Sequence, residues 1–253
     1  MGSSTDGMLR KCIARSLVVA LLAALATSAA TGAPASPQLH ALVRSGTQMQ
    51  VVRVDPATLA PVGRRVALGR NAGTWAYSPD GRQLAISTEN GIRLVDLRSR
   101  RLRATLARPH RLVQGFAWLA ARRLIVVEHG AVLRVDPARP SVISQEVYGG
   151  NVIAWAPSRG GIVLLTRNEQ GIGPPTLVAV GWTGKARSVE LKRIDAGSDG
   201  GPNNEGPFRT QRPALAIDPG GRAYVVGGGP QIASVDLNSL AVAYHVPVGE
   251  SRL

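Results

Sequence analysis

Apolar residues along the chain recur mostly in short runs of four to eight, with Val, Ile, Leu, Ala and Trp dominant and Gly, Pro, Asp and Asn between them. That spacing predicts β-strands joined by tight turns, not helices. The strands repeat in order. One anchor is a strand ending in Val-Asp: Val54-Asp55, Val95-Asp96, Val135-Asp136 and Val235-Asp236. The first three aspartates lie 41 and 40 residues apart. The 100 residues from Asp136 to Asp236 leave room for a degenerate copy, Val180-Gly181, and an insertion. A second anchor precedes each Val-Asp strand: Trp75-Ala76-Tyr77, Phe116-Ala117-Trp118, Ile153-Ala154-Trp155 and Leu215-Ala216-Ile217. Large and small side chains alternate there, as a strand packed on both faces requires. Each anchor runs into a turn, such as Pro79-Asp80-Gly81 or Pro219-Gly220-Gly221.

Four strands per unit of about 40–45 residues are the mark of a β-propeller. The predicted class is all-β, with about five blades at 39–68, 74–107, 115–147, 152–192 and 213–246. The first blade shows only three strands, and 247–253 reads as a linker and not a closing strand. The expectation is therefore a truncated ring; a small closed five-bladed ring is the alternative. The stretch Tyr77-Ser78-Pro79-Asp80-Gly81-Arg82 resembles the SPDG motif of bacterial WD40-like propeller repeats. The resemblance extends over about 39–250 and implies a propeller without implying one activity. No Gly-His or Trp-Asp dipeptide of eukaryotic WD40 repeats occurs.

The N-terminus departs from the repeat. Arg10, Lys11 and Arg15 precede an apolar run at 16–26, followed by small residues with candidate cleavage points after Ala30, Ala33 or Ala35. This is the layout of a secretory signal peptide, and the run is short for a membrane span. Residues 1–35 are expected to be signal and linker, and 36–253 the propeller. An uncleaved anchor is the alternative. Cys12 precedes the apolar run, which disfavours a lipid anchor, and the processed chain has no cysteine. The expected location is extracellular, periplasmic or at the cell envelope, with no transmembrane domain after cleavage.

Composition adds charge. The 253 residues hold 30 Lys+Arg against 16 Asp+Glu, a formal +14; losing Arg10, Lys11, Arg15 and Asp6 with the leader leaves +12. Of the basic residues, 27 are Arg, which GC-rich coding explains in part. In an up-and-down blade, loops after first and third strands share one face, and Arg98, Arg100, Arg101, Arg122 and Arg123 fall there. They would attract an anionic surface. Nucleic acid is not expected, because no aromatics interleave with the basic residues.

The other face carries two long loops, 167–175 and 193–212. Long loops on a rigid framework are where binding resides. The expected ligand-binding residues are Asn168, Glu169, Asp195, Asp199, Asn203, Asn204, Glu205, Arg209 and Arg212. Asp195, Asp199, Asn203 and Glu205 are hard oxygen donors that suit calcium, although their spacing is not that of a helix-loop-helix site; no other cofactor is indicated. The repeated aspartates 55, 96, 136 and 236 are expected to tighten turns. His40, His110, His129 and His245 sit in different units. No Gly-x-Ser-x-Gly, phosphate loop or His-Glu-x-x-His occurs, so no catalytic residue is assigned. The favoured function is an exported binding or scaffold module for a protein, glycan or small ligand. The alternative is a lactonase-like or lyase-like propeller enzyme, with a metal at the channel.

Overall fold

A computed structural model describes residues 20–22, 39–108, 112–168, 173–196, 213–227 and 230–246. They form five four-stranded antiparallel sheets, each with its strands side by side in chain order. The first holds β1 (Ala20–Leu22), β2 (Leu39–Ser45), β3 (Gln48–Val54) and β4 (Pro61–Gly69). The second holds β5 (Trp75–Tyr77), β6 (Gln83–Thr88), β7 (Gly91–Asp96) and β8 (Arg101–Ala107). The third runs through β9 (Val113–Ala120), β10 (Arg123–Glu128), β11 (Ala131–Asp136) and β12 (Ser141–Val147). The fourth comprises β13 (Asn151–Ser158), β14 (Gly161–Arg167), β15 (Thr176–Gly181) and β16 (Arg187–Glu190). The fifth comprises β17 (Ala214–Ile217), β18 (Arg222–Val226), β19 (Ile232–Asp236) and β20 (Val242–His245). Strand β5 packs beside β9, β9 beside β13 and β13 beside β17, so first strands gather and fourth strands splay outward. This is the blade arrangement of a β-propeller.

For the unprocessed chain the first sheet corrects the expectation of three strands, with a fourth that comes from within the 1–35 segment expected to be removed on export. Ala20–Leu22 supplies it, pairing antiparallel with His40–Leu42. Backbone groups on an open strand edge seek partners, and the apolar run that reads as a signal is also competent to form a strand. The segment 247–253, where a closing strand would fall, lies outside the described residues.

The middle strands explain why the sheets stack. In β10 every residue after Arg123 is buried, yet successive side chains serve different cores. Leu124 and Val126 join Ala85, Ile92, Leu94 and Leu133 between the second and third sheets. Ile125 and Val127 join Ile162, Leu164 and Val178 between the third and fourth. The side-chain period of two thus sends alternate residues into neighbouring interfaces, and each core is built by two sheets. The outer strands are largely exposed: β12 has no buried residue along its length.

The tryptophans of the repeated anchors lie against these interfaces: Trp75, Trp118 and Trp155 are each half-buried on a different cluster. Trp155 fills the space where a side chain at Gly115 of β9 would stand, so that glycine lets two first strands approach. Polar side chains tie neighbouring sheets as well. Trp118 Nε1 donates to the Ala76 carbonyl at 3.1 Å, and Gln83 Nε2 to Ala121 at 3.1 Å. Arg103 reaches Ala138, and Arg187 reaches both Leu237 and Asn238. Several arginines that composition presents only as surface charge therefore bridge sheet to sheet.

Candidate functional site

The repeated aspartates act on their own turns. Asp55 Oδ1 accepts the Ala57 and Thr58 N–H groups at 2.8 and 3.0 Å. Asp96 accepts Ser99, Asp136 accepts Ala138, and Asp236 accepts Asn238 and Ser239, all at 2.8–2.9 Å. Backbone hydrogen bonds, from Thr58, Ser99, Ala138 and Ser239 respectively, are the main cause that holds the four carboxyls below the ordinary aspartate value. A depressed pKa stabilises the fold above the unfolded value of about 3.9, and that contribution disappears as pH falls through the folded one. Replacing all four by asparagine, which keeps an acceptor oxygen without the charge, is expected to flatten the acid side of the Tm profile between about pH 5 and 3. An acid limb as steep as that of the parent chain would show that other groups govern it.

Asp218 is a further turn residue. Its Oδ1 accepts the Arg222 N–H at 2.9 Å and its Oδ2 the Tyr224 hydroxyl at 3.1 Å. It occupies the place of Ser78 in the second blade, where Ser78 Oγ accepts the Gln83 N–H at 2.9 Å and donates to Asp80. In both turns a glycine with positive φ, Gly81 or Gly221, donates its N–H to the carbonyl of that residue. Asp-Pro-Gly-Gly at 218–221 is thus the structural counterpart of Ser-Pro-Asp-Gly at 78–81, with serine and aspartate interchanged as acceptors.

On the opposite face, the described parts of the two long loops arise side by side. Asn168 follows β14 and is exposed, and the first loop ends at Pro175. The Pro175 carbonyl accepts the Leu191 N–H at 2.9 Å, which joins the root of that loop to the start of the second. Leu191 and Ile194 are buried in the core between the fourth and fifth sheets, and the Ile194 side chain and the Asp195 backbone lie close to Gly227, just after β18. Asp195 is exposed beside them, and Arg193 lies over the Tyr244 ring at 5.3 Å. Glu169, Asp199, Asn203, Asn204, Glu205, Arg209 and Arg212 lie outside the described residues, and with them three members of the calcium quartet. Among the described residues, no three His, Cys, Asp or Glu side chains converge as a metal would require.

The same face carries a pair that sequence reading does not reveal. Glu128, fully buried at the end of β10, receives Arg108 in a two-pronged contact, Nε–Oε1 at 3.0 Å and Nη2–Oε2 at 2.6 Å. The Tyr148 hydroxyl donates to the Glu128 carbonyl. The two charges come from different blades, 20 positions apart, and no local motif marks them. Their geometry clamps the connection after β8 onto β10. The histidines stay apart: His40 is buried in β2, His129 is exposed, His245 Nε2 shares a 2.9 Å hydrogen bond with Ser234 Oγ, and His110 is outside the described residues.

Among the arginines of the other face, Arg122 pairs with Asp136 at 3.3 Å and Arg123 lies 5.7 Å over the Trp182 ring. Arg98, Arg100 and Arg101 make no ion pair among the described residues. Among those residues, too, no helix is long and apolar enough to cross a membrane.

No family model matches the chain, and no curated protein sequence matches it. Solved structures do. A chain of Kuenenia stuttgartiensis hydrazine synthase matches with a TM-score of 0.51 at 14% identity, over 79% of this chain and 74% of that one. The dihydro-heme d1 dehydrogenase NirN matches at 0.54 and 13% identity, over 83% of this chain and 44% of that one. The Neurospora crassa Pan2 WD40 domain matches at 0.54 and 14% identity, over 84% of this chain and 63% of that one. Two enzymes and a WD40 domain share little here except architecture, and the likeness shows that this chain has a β-propeller fold.

Proposed function

We propose that this chain is an exported binding or scaffold module of the cell envelope, built on propeller repeats of the bacterial SPDG type. The observation that carries the reading is the shared root of the two long loops, fixed by the Leu191–Pro175 hydrogen bond on a rigid double core. Such a root can present Asn168, Asp195 and the residues beyond them as one wall of a binding surface. The framework beneath uses its own charges internally: the turn aspartates on backbone N–H groups, Glu128 on Arg108, and Arg134 on carbonyls. The partner on the loop face is a protein, a glycan or a small ligand. The arginines of the opposite face favour an anionic surface nearby.

The test has two parts. The N-terminus of the exported chain is sequenced, with a start after Ala30, Ala33 or Ala35 expected; a chain retained inside the cell overturns the export reading. The full chain is then immobilised against an envelope fraction. A partner retained by the parent chain and lost from both Asn203→Ala/Glu205→Ala and Arg209→Ala/Arg212→Ala variants supports the loop face, and retention that ignores both variants removes it.

A further inference from the structure

Between the outer strands β4 and β8, where the first and second blades splay apart, lies an open groove of about 590 Å³ lined by Arg64, Arg65, Val66, Ala67, Arg100, Arg101 and Leu102. Four guanidinium groups share it with no carboxylate in the lining. Among the described residues none of the four forms an ion pair. Elsewhere on the described chain, prominent arginines are already engaged: Arg108 with Glu128, Arg122 with Asp136, and Arg134 and Arg187 with carbonyls. A group of unneutralised like charges repels itself, and a bound anion relieves that repulsion.

One guanidinium is positioned by the repeat itself. In three blades the turn from third to fourth strand places the residue four after the aspartate in the left-handed region; in the third blade that position is Pro140, which cannot adopt it. The left-handed residue is Leu59 after Asp55, Arg100 after Asp96 and Leu240 after Asp236, with φ between 54° and 59°. Two blades use leucine at that point; the second blade uses arginine. The Arg100 guanidinium lies over Gly63, itself at φ +73°, in the space a side chain there would take. A glycine on one blade thus seats a cation from the next, and that cation lines the groove.

We propose that this groove is a binding site for oligophosphate. Guanidinium forks match phosphate oxygens in pairs. Adjacent phosphates share a bridging oxygen, so several charges fit within the groove. An extended acidic peptide spaces its same-side carboxylates about 7 Å apart and needs room for its own backbone. The groove has no aromatic lining to stack a base, so the phosphates, not a nucleoside, are what it reads. The proposal rests on the attraction of anions to the arginine face, and locates it where Arg100 and Arg101 of that face meet Arg64 and Arg65 of β4.

Titration calorimetry on the full chain at low salt tests it, with sodium tripolyphosphate as probe. The parent chain is expected to bind. The Arg64→Ala/Arg101→Ala variant is expected to weaken binding by about tenfold or more. Arg100→Leu, which installs the residue two other blades carry at that turn, is expected to keep the fold and weaken binding severalfold. Arg82→Ala/Arg159→Ala removes two exposed charges from other turns of the same face and is expected to change affinity by less than about twofold. Equal losses from both double variants overturn the groove while leaving a diffuse anionic face. No binding by the parent chain overturns both. Polyglutamate binding as tightly as tripolyphosphate overturns the phosphate assignment. A poly(glycerol phosphate) probe, whose phosphates are spaced by glycerol and share no bridging oxygen, is expected to bind more weakly than tripolyphosphate; tighter binding overturns the oligophosphate assignment in favour of a phosphodiester polymer.

Discussion

Replacing Arg134 by alanine is expected to lower the unfolding free energy by about 4 kcal/mol, because one buried guanidinium serves two sheets. Its Nε donates to the Gly181 carbonyl and its Nη2 to the Gly184 carbonyl, both at 2.9 Å, across the interface to the fourth sheet. Its Nη1 donates to Ser144 Oγ at 3.0 Å and lies 3.8 Å from Glu146 Oε2. Glu146 in turn accepts the Ala186 N–H at 3.1 Å. The side chain is 6% exposed, so water cannot readily replace these donors, and truncation strands acceptors on both blades. Arg134→Lys keeps the charge but not the three-way fork, and is expected to recover only a minor part of the loss. Urea unfolding of the three proteins decides the matter. A cost for Arg134→Ala below about 1 kcal/mol, or full rescue by lysine, would mean that the contact fills space without holding the blades together.

This arginine also marks where sequence reading reaches its limit. The blades are legible because their signals are local: alternating residues within a strand, and Gly, Pro and Asp at the turns. The turn role of Asp55, Asp96, Asp136 and Asp236 is legible for the same reason, since each acceptor and its donors lie within three residues. Arg134 and Gly184 are 50 positions apart, and nothing near either announces the other. Glu128 and Arg108 meet across a blade boundary. Gly115 reads as an ordinary strand glycine until Trp155 from the next blade is placed against it. The run at 16–26 carries two local meanings, export signal and strand, and pairing of Ala20–Leu22 with β2 belongs to the second. The loop residues beyond Asp195 were legible as a candidate surface only through loop length and polarity. Those features mark where a ligand could meet the propeller without specifying its chemistry.

Two neighbouring leucines provide a sharper test of the double-core architecture than any single truncation. Leu164 and Leu165 are adjacent in β14 and both fully buried. Leu164 packs with Ile125, Val127, Val132 and Val178, between the third and fourth sheets. Leu165 packs with Ala223, Val225, Ala233 and Val235, between the fourth and fifth. Each truncation to alanine is expected to cost about 3 kcal/mol, from lost transfer energy and the cavity left behind. Similar costs should come with different footprints. Because a blade touches only its neighbours, the strain of Leu164→Ala should speed amide exchange in β10 and β11 and spare β18 and β19. Leu165→Ala should do the reverse. The two leucines also separate this architecture from a single central core, in which both variants would loosen the same strands. Matching exchange patterns from the two variants would therefore contradict the assignment of alternate residues in β14 to separate interfaces, and with it the stacked-blade account of how this chain is held together.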